Sequence, residues 1–276
     1  MTPVGKALWY IESHFAGEVT LDEIAAVAGV SRYHLSRAFG EATGRSVMRY
    51  LRGRRLTEAA RSLSSGASDI LSVALAAGYG SHEAFTRAFR DQFGQTPESV
   101  RAQRHLDNLA LVETIRMDHT GTMTLEKPRF ENGRTLLIAG LAERYVFERC
   151  HEIPAQWQRF VPYIGNLSGQ VGGTAYGVRK DSDAGSIEYM CGVEVSSFDD
   201  LPPELSTLRI PARRYAVFTH RDHISTIRET HTAIWTRWLP ESGHEVADAP
   251  DFERYGEDFD PESGTGNVEI WLPLKA

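Results

Sequence analysis

The sequence predicts two domains, an all-α domain with two helix-turn-helix units followed by an α+β domain of two pseudo-repeated strand-helix-strand-strand units. Three observations support this fold class: an internal repeat in the first part of the chain, strand-like alternation in the second part, and a change of charge between them. The 276 residues are enough for two hydrophobic cores. We expect the first domain at residues 1–106, a linker at 107–121 and the second domain at 122–276.

The charge of the chain is divided unevenly. The formal net charge is -7, yet residues 1–106 carry 13 basic and 10 acidic side chains, and the remainder carries 17 and 27. Twelve of the 13 basic residues are arginines, which hold phosphate groups bidentately, and four of them are Arg49, Arg52, Arg54 and Arg55. A charge run alone is commonly a solvated face, so the charge favours nucleic-acid binding only together with the repeat.

The repeat relates residues 21–44 to residues 70–94, with an offset of 49 before the turn and 50 after it. Each copy contains a short helix, a turn with glycine, and a second helix that begins after a serine, Ser31 or Ser81. In the first copy, Thr20 and Glu23 have the spacing of a capping box, and Gly29 permits the positive φ of a sharp turn. This order is typical of a helix-turn-helix unit.

The second helix of each copy is the candidate reading helix. Leu35 and Phe39, like Phe85 and Phe89, lie four residues apart and face inward. The positions that face outward are Arg32, Tyr33, Ser36 and Arg37 in the first copy, and His82, Glu83, Thr86 and Arg87 in the second. Residues 46–64 read as one linking helix of about 27 Å, which suits two reading helices in successive major grooves about 34 Å apart.

The segment from about residue 4 to 104 resembles the AraC family of transcription regulators, in particular its MarA and Rob type. The resemblance rests on both helix-turn-helix units, the linking helix, the sequence GYGS at 78–81 and the sequence FGQTP at 93–97. It implies that bases are read by Tyr33, Ser36, Arg37, His82, Glu83 and Arg87. Ser36 and Glu83 replace glutamines of that type and Tyr33 replaces a tryptophan, so the operator sequence does not transfer. Arginine on guanine and carboxylate on cytosine are the pairings expected for Arg37, Arg87 and Glu83.

Strand-like alternation dominates the second part of the chain. The expected helices span residues 155–164 and 225–238. The expected strands span residues 124–130, 136–143, 175–180, 187–195, 205–210, 214–220, 252–255 and 268–274. A fainter repeat places Tyr145 to Phe147 before a helix with Trp157, and Tyr215 to Phe218 before a helix with Trp235. Two such units predict an antiparallel sheet with helices on one side and a groove where the units meet.

From about residue 123 onward the chain resembles the GyrI-like ligand-binding family. The resemblance rests on YAVFTH at 215–220, DFERY at 251–255 and VEIWLP at 268–273. It implies that Glu253 lies in an aromatic-walled pocket that senses lipophilic or cationic molecules. The candidate ligand-binding residues are Trp157, Tyr176, Tyr189, Trp235, Glu253 and Tyr255. A buried, unpaired glutamate is costly, so a ligand cation is expected to supply its partner. The alternative is a surface glutamate paired with Arg254 or solvent.

The leading hypothesis is a transcription regulator, more readily an activator, that binds double-stranded DNA, RNA polymerase and a small-molecule effector. The first alternative is a hydrolase that uses Glu253 as acid or base, and the second is a ligand-free protein-interaction module. The sequence predicts no catalytic residue, cofactor or metal site, and reduced cysteines at 150 and 191. With no apolar run long enough for a membrane helix and no signal peptide, we expect a cytoplasmic protein without membrane contact.

Overall fold

The computed structural model describes residues 2–67, 69–115, 125–180 and 185–275. Its helical first part and its sheet-containing second part confirm the predicted fold class. Residues 116–121 of the predicted linker lie outside the described residues, as does Thr124, the first residue of the first predicted strand. The described part of the linker packs on the first domain, where the Val112 amide donates to Thr57 Oγ1 at 2.9 Å.

The first domain is helical and has the predicted repeat. Its helices are α1 (Pro3–His14), α2 (Leu21–Ala28), α3 (Arg32–Thr43), α4 (Val47–Ser64), α5 (Ile70–Ala76), α6 (His82–Phe93) and α7 (Pro97–Gln103). The capping box of Thr20 and Glu23 is present, and Gly29 ends α2 in the left-handed region at φ 73°. The side chains of Ser31 and Ser81 accept hydrogen bonds from backbone amides in the first turns of α3 and α6. The local signals of both helix-turn-helix units therefore act as expected.

Helix α4 joins the two units and holds two of the four arginines of the cluster, Arg54 and Arg55, in internal contacts. Arg54 is buried and donates to Glu12, with 2.9 Å between Nε and Oε1. Arg55 donates through Nε to the Phe15 carbonyl at 2.6 Å. These two arginines hold α1 against α4, whereas Arg49 and Arg52 are exposed, and Arg49 lies 3.4 Å from Glu148 of the second domain.

The second domain is one antiparallel sheet with helices. Its strands are β1 (Arg129–Gly133), β2 (Leu136–Val146), β3 (Gln170–Lys180), β4 (Ser186–Val195), β5 (Ser206–Ile210), β6 (Arg213–His220), β7 (Asp251–Tyr255) and β8 (Val268–Pro273). Its helices are α8 (Ile153–Phe160) and α9 (Ile227–Ala233), which continues through a π-helical segment (Ile234–Trp238) into α10 (Leu239–Ser242). The strand order is β1-β6-β8-β7-β3-β4-β2-β5. The units β2-α8-β3-β4 and β6-α9-β7-β8 therefore meet at the pair of β3 and β7, as the faint repeat predicted.

Four predicted elements are shifted: β2 continues three residues further, to Val146, β3 begins five residues earlier, at Gln170, and the other two shifts lie next to a proline. The first strand begins at Arg129, directly after Pro128, which has no amide hydrogen for a ladder. The helix expected to reach residue 164 ends at Phe160, because Pro162 has no amide hydrogen with which to continue the helical hydrogen bonds. A short 3-10 turn (Val161–Tyr163) follows.

The sheet has two different faces. One face carries α8 and α9, and it presents alternate residues of β3 and β7, among them Gly177, Arg179 and Glu253. The other face buries an apolar cluster that joins strands from both ends of the sheet, such as Ile138 on β2 and Val217 on β6. Strands that are distant in the sheet order meet in this cluster, so the sheet is curled.

The hydrophobic cores of the two domains are continuous. One buried cluster contains Leu35 and Phe39 of the first helix-turn-helix unit together with Phe218, Ile234 and Trp235 of the second domain. The second helix-turn-helix unit has a separate core around Phe85 and Phe89. The second domain therefore packs on the first unit and leaves the second unit apart.

Candidate DNA-binding and effector site

The reading helix of the second unit is open. On α6, Glu83 and Arg87 are exposed, and His82 lies partly exposed beside Glu98, with 3.1 Å between Nε2 and Oε1. These side chains start from the helix face opposite Phe85 and Phe89, which are fully buried. The face expected to read bases is thus accessible on α6.

The reading helix of the first unit is covered by the second domain. Arg32 is exposed and pairs with Asp22 at 3.2 Å, and Tyr33 is half-buried. Ser36 is 2% exposed and Arg37 is fully buried. The expectation that Ser36 and Arg37 face solvent is therefore corrected: they point away from the core of their own unit, but against the second domain. Their role in reading DNA stays a prediction.

Arg37 enters the second domain as a buried cation. Its Nη2 donates to Asp251 at 3.2 Å (Oδ1) and 3.0 Å (Oδ2), and its guanidinium lies 5.4 Å from the ring centroid of Trp235. A buried cation needs such a counter-charge, and the ring adds cation-π attraction. The two remaining nitrogens, Nε and Nη1, have no hydrogen-bond partner among the described residues. The covered arrangement thus leaves Arg37 only partly satisfied.

The far end of α3 lies between the two units of the second domain. On one side a methyl group at Gly40 would lie 2.5 Å from Cδ1 of Phe147, so glycine permits this close approach. On the other side Arg228 donates to the carbonyl groups of Gly40 (3.3 Å) and Glu41 (3.4 Å), and Thr232 donates to that of Glu41 (3.1 Å). The Gly40 carbonyl also accepts the Gly44 amide at 2.8 Å, whereas the Glu41 carbonyl is one that the helix end leaves free, and the second domain satisfies it.

Glu253 is buried, but it is not unpaired. The Arg179 guanidinium contacts its Oε1, the His231 Nε2 lies 3.0 Å from the same oxygen, and Tyr189 (3.0 Å) and Tyr255 (2.8 Å) donate to Oε2. The expectation of a missing partner is therefore wrong, because Arg179 already supplies the positive charge. The alternative of a surface glutamate is wrong as well, since Glu253 is 4% exposed and Arg254 pairs with Glu269.

The charges of this cluster are strongly coupled. Burial alone would raise the pKa of Glu253, but the Arg179 charge and the His231 hydrogen bond outweigh it and hold that pKa far below its usual range. Burial likewise opposes the charge of Glu41, yet Arg179 and Arg37 hold its pKa below its usual value. Burial and the neighbouring Arg179 lower the pKa of His231, which favours the neutral ring. Glu253 and Glu41 therefore stay carboxylates, both held by Arg179, and Glu41 also by Arg37.

The predicted aromatic residues are only partly brought together. Trp157 Nε1 donates to Tyr189 Oη at 3.1 Å, and the rings of Trp157 and Tyr255 meet edge to face with centroids 5.1 Å apart. Tyr189 and Tyr255 bind the carboxylate of Glu253 on the helix-bearing face, and Trp157 contacts both tyrosines. Tyr176 lies on the opposite face, in the cluster with Phe252, because it is one residue out of phase with Gly177.

Trp235 is the other predicted residue that the structure separates from this group. It packs in the shared core, with its ring 5.4 Å from that of His34 and 6.3 Å from that of Tyr33. It therefore contacts the first reading helix rather than the rings around Glu253. A half-buried ring that sequence reasoning did not name, Phe259, lies 5.0 Å from Tyr255.

Sequence reasoning also missed the charged residues that complete the cluster, namely Glu41, Arg179, His231 and Asp251. A usable signal was present in β3, where Arg179 alternates with Val178 within an otherwise apolar stretch and so points to a buried face. The register that sets Arg179 opposite Asp251, and Gly177 opposite Glu253, is a property of the folded sheet. Among the described residues no group of His, Cys, Asp and Glu is arranged to hold a metal ion.

Two helix-turn-helix units and a ligand-binding type of sheet domain define a DNA-binding regulator with an effector domain. The chain belongs to the GyrI-like family: the model of the GyrI-like small molecule binding domain matches residues 126–275, and a helix-turn-helix domain model matches residues 24–103. Both resemblances of the sequence, to AraC-type and to GyrI-like domains, are thereby confirmed.

Two relatives match nearly the whole chain, and a solved structure matches its second part. The transcriptional regulator Rob of Salmonella typhimurium is 26% identical, with 97% of this chain and 96% of the relative covered. The right origin-binding protein of Escherichia coli K12 is 24% identical over the same shares. A structure of SAV2435 bound to tetraphenylphosphonium is 23% identical, covers 55% of this chain and 95% of its own, and has a TM-score of 0.45. The chain is a DNA-binding transcription regulator with a small-molecule-binding domain. In its described part, no helix is long and apolar enough to span a membrane.

Proposed function

We propose that this regulator senses a lipophilic cation at Glu253 and, when bound to promoter DNA, contacts RNA polymerase to activate transcription. The observation that carries the proposal is a buried, ionised carboxylate set among aromatic rings, with a planar cation already against it. Coulomb attraction and cation-π contact with Trp157 and Tyr255 suit a cation with apolar substituents. Because the DNA is its target, the place of action is the cytoplasm.

RNA polymerase is proposed as the protein partner on the basis of an exposed apolar surface. Leu71 and Leu75, four residues apart on α5, are 46% and 57% exposed. Since α5 is the first helix of its helix-turn-helix unit, its outer face lies beside the reading helix rather than on it. Exposed apolar side chains grouped on one helix face are typical of protein contact sites.

The hydrolase alternative is disfavoured by the charge state of Glu253. A general acid must carry a proton near neutral pH, whereas Arg179 and His231 hold the pKa of Glu253 far below its usual range. The same contacts leave it a weak base. We propose that the second domain binds its effector and releases it unchanged.

The test is calorimetric titration of the full chain with tetraphenylphosphonium, followed by mass measurement of the released compound. We expect Glu253→Gln to weaken binding at least about tenfold, because the buried counter-charge is lost. Glu269→Gln on the neighbouring strand β8 is the matched control and should bind like the parent. The neutral triphenylphosphine oxide should bind parent and Glu253→Gln alike. Equal affinity of the parent and Glu253→Gln for the cation contradicts the proposal. A released compound of altered mass favours the hydrolase.

A further inference from the structure

We infer that the first reading helix, α3, is an intramolecular occupant of the effector groove, and that a cation bound at Glu253 releases it by displacing Arg179. The inference rests on the proposed function for the ligand. It adds a regulatory link between the two domains and names Arg179 as the residue that provides it.

The place of α3 supports the first half of the inference. The groove where the two units of the second domain meet has Phe147, just before α8, on one side and Arg228 and Thr232 of α9 on the other. Gly40 and Glu41 of α3 contact both sides. With Ser36 and Arg37 buried in this contact, α3 is not free to enter a major groove.

Arg179 supports the second half, because one guanidinium serves both domains. Its Nη2 contacts Glu253, and its Nη1 lies 3.3 Å from Glu41 of α3 and 3.8 Å from Asp251. Asp251 in turn holds Arg37 of α3 at 3.0 Å. The polar contacts of α3 with the sheet thus form one chain of charges that leads to Glu253.

A ligand cation at Glu253 is incompatible with this arrangement. Two cations on one buried carboxylate repel each other, so the ligand must take the place of the Arg179 Nη2. When Arg179 moves away from Glu253, its contacts with Glu41 and Asp251 are disturbed as well. The contact of α3 with the sheet therefore weakens. We call the arrangement with α3 in the groove closed and the arrangement with α3 released open. A ligand that binds the open arrangement more tightly than the closed one shifts the population towards the open one.

Arg37 explains why the closed arrangement is reversible. It is fully buried with two guanidinium nitrogens unpartnered among the described residues, which is a costly state for a polar group. Release would return those donors to water or to base edges. The corresponding arginine of the second unit, Arg87, is exposed, so the closed chain still presents one reading helix.

The test measures the exposure of α3 directly. Ser36→Cys, in a chain with Cys150→Ser, reports opening through its rate of reaction with a maleimide, and Glu83→Cys on open α6 is the matched control. We expect tetraphenylphosphonium to raise the Ser36→Cys rate at least about fivefold and to leave the Glu83→Cys rate unchanged. Arg179→Ala, and the nearly isosteric Asp251→Asn, should give the raised rate without ligand.

A control variant and two separate measurements, calorimetry and the thiol reaction rate, distinguish a failure of this inference from a failure of the proposed function. Arg254→Ala removes an arginine from β7 that pairs with Glu269, outside the charge chain, and should keep the parental rate. If calorimetry shows that the cation binds but the Ser36→Cys rate stays constant, the coupling is overturned while the proposed ligand stands. If the cation does not bind, the ligand class is wrong, and the maleimide rates of Arg179→Ala and Asp251→Asn decide the rest. Raised rates support the hold of Arg179 on α3, and parental rates overturn it.

Discussion

Substituting Gly40 should open the contact between α3 and the second domain without touching any charge. Gly40 lies inside a helix, and a methyl group there would lie 2.5 Å from Cδ1 and 2.6 Å from Cε1 of Phe147. The Phe147 ring is 6% exposed and packed in the core below α8, so it has little space to move. Gly40→Ala therefore strains the closed arrangement and leaves the open one unhindered.

The magnitude follows from two opposing effects. Alanine in place of glycine stabilises a helix interior by about 0.5–1 kcal/mol, in the closed and the open arrangement alike. An extra methyl group in a packed core costs about 1–3 kcal/mol, and only the closed arrangement bears this cost. The ratio of open to closed chains should therefore rise about 5- to 150-fold. While the closed arrangement dominates, DNA affinity should rise by up to the same factor, less whatever binding α6 already provides in the closed chain.

The assay is fluorescence anisotropy with a duplex that the full chain selects from a random library, at one fixed salt concentration. Phe147→Ala supplies the matched background, because it removes the ring that the methyl group meets. In that background Gly40→Ala should change DNA affinity by less than about twofold. If Gly40→Ala weakens DNA binding, or acts equally in both backgrounds, the covering of α3 is not what limits DNA binding.

Two further predictions concern salt and pH. Arg87→Ala should lower the slope of log affinity against log salt by about one, since it removes one phosphate or base contact of the open helix, whereas Arg37→Ala should do so only when the effector is present. Burial against Trp235 lowers the pKa of His34 to about 4 from 6.5, partly offset by a hydrogen bond to the Trp235 backbone. The closed arrangement therefore keeps His34 neutral, and the open one takes up a proton as the pH falls below 6.5. Between pH 7 and 5.5 the open population should rise about eightfold, and His34→Gln should remove that part of the pH dependence of DNA affinity; a parental profile for His34→Gln would contradict it.

The sequence allowed the elements and their order to be predicted because their signals are local. Capping residues such as Thr20 and Ser31, and glycine at position 29, act within a few residues, and alternation marks each strand separately. The candidate site was predicted less completely. Glu253 and Tyr255 lie on one strand, so their common neighbourhood followed from sequence, but the partner Arg179 comes from a strand more than 70 residues earlier.

Burial of the first reading face was not predicted because outward and exposed were treated as the same property. Leu35 and Phe39 fix which side of α3 faces the core of its own unit, and the opposite side was therefore assigned to solvent. A second domain can cover that side, and helical periodicity carries no information about such a contact. The same argument explains Trp235, whose ring was assigned to the ligand groove although it contacts α3.

The two copies of the repeat nevertheless differ where docking requires a difference. Gly40, which admits the Phe147 ring, corresponds to Arg90 in the second copy, and Tyr33, which packs near Trp235, corresponds to Glu83. Both residues of the second copy are exposed and charged, and an arginine side chain at position 40 would fill the space that the ring occupies. Only α3 therefore fits the groove of the second domain. Of the two copies of the repeat, α6 is thus open, while α3 forms the contact that we infer an effector releases.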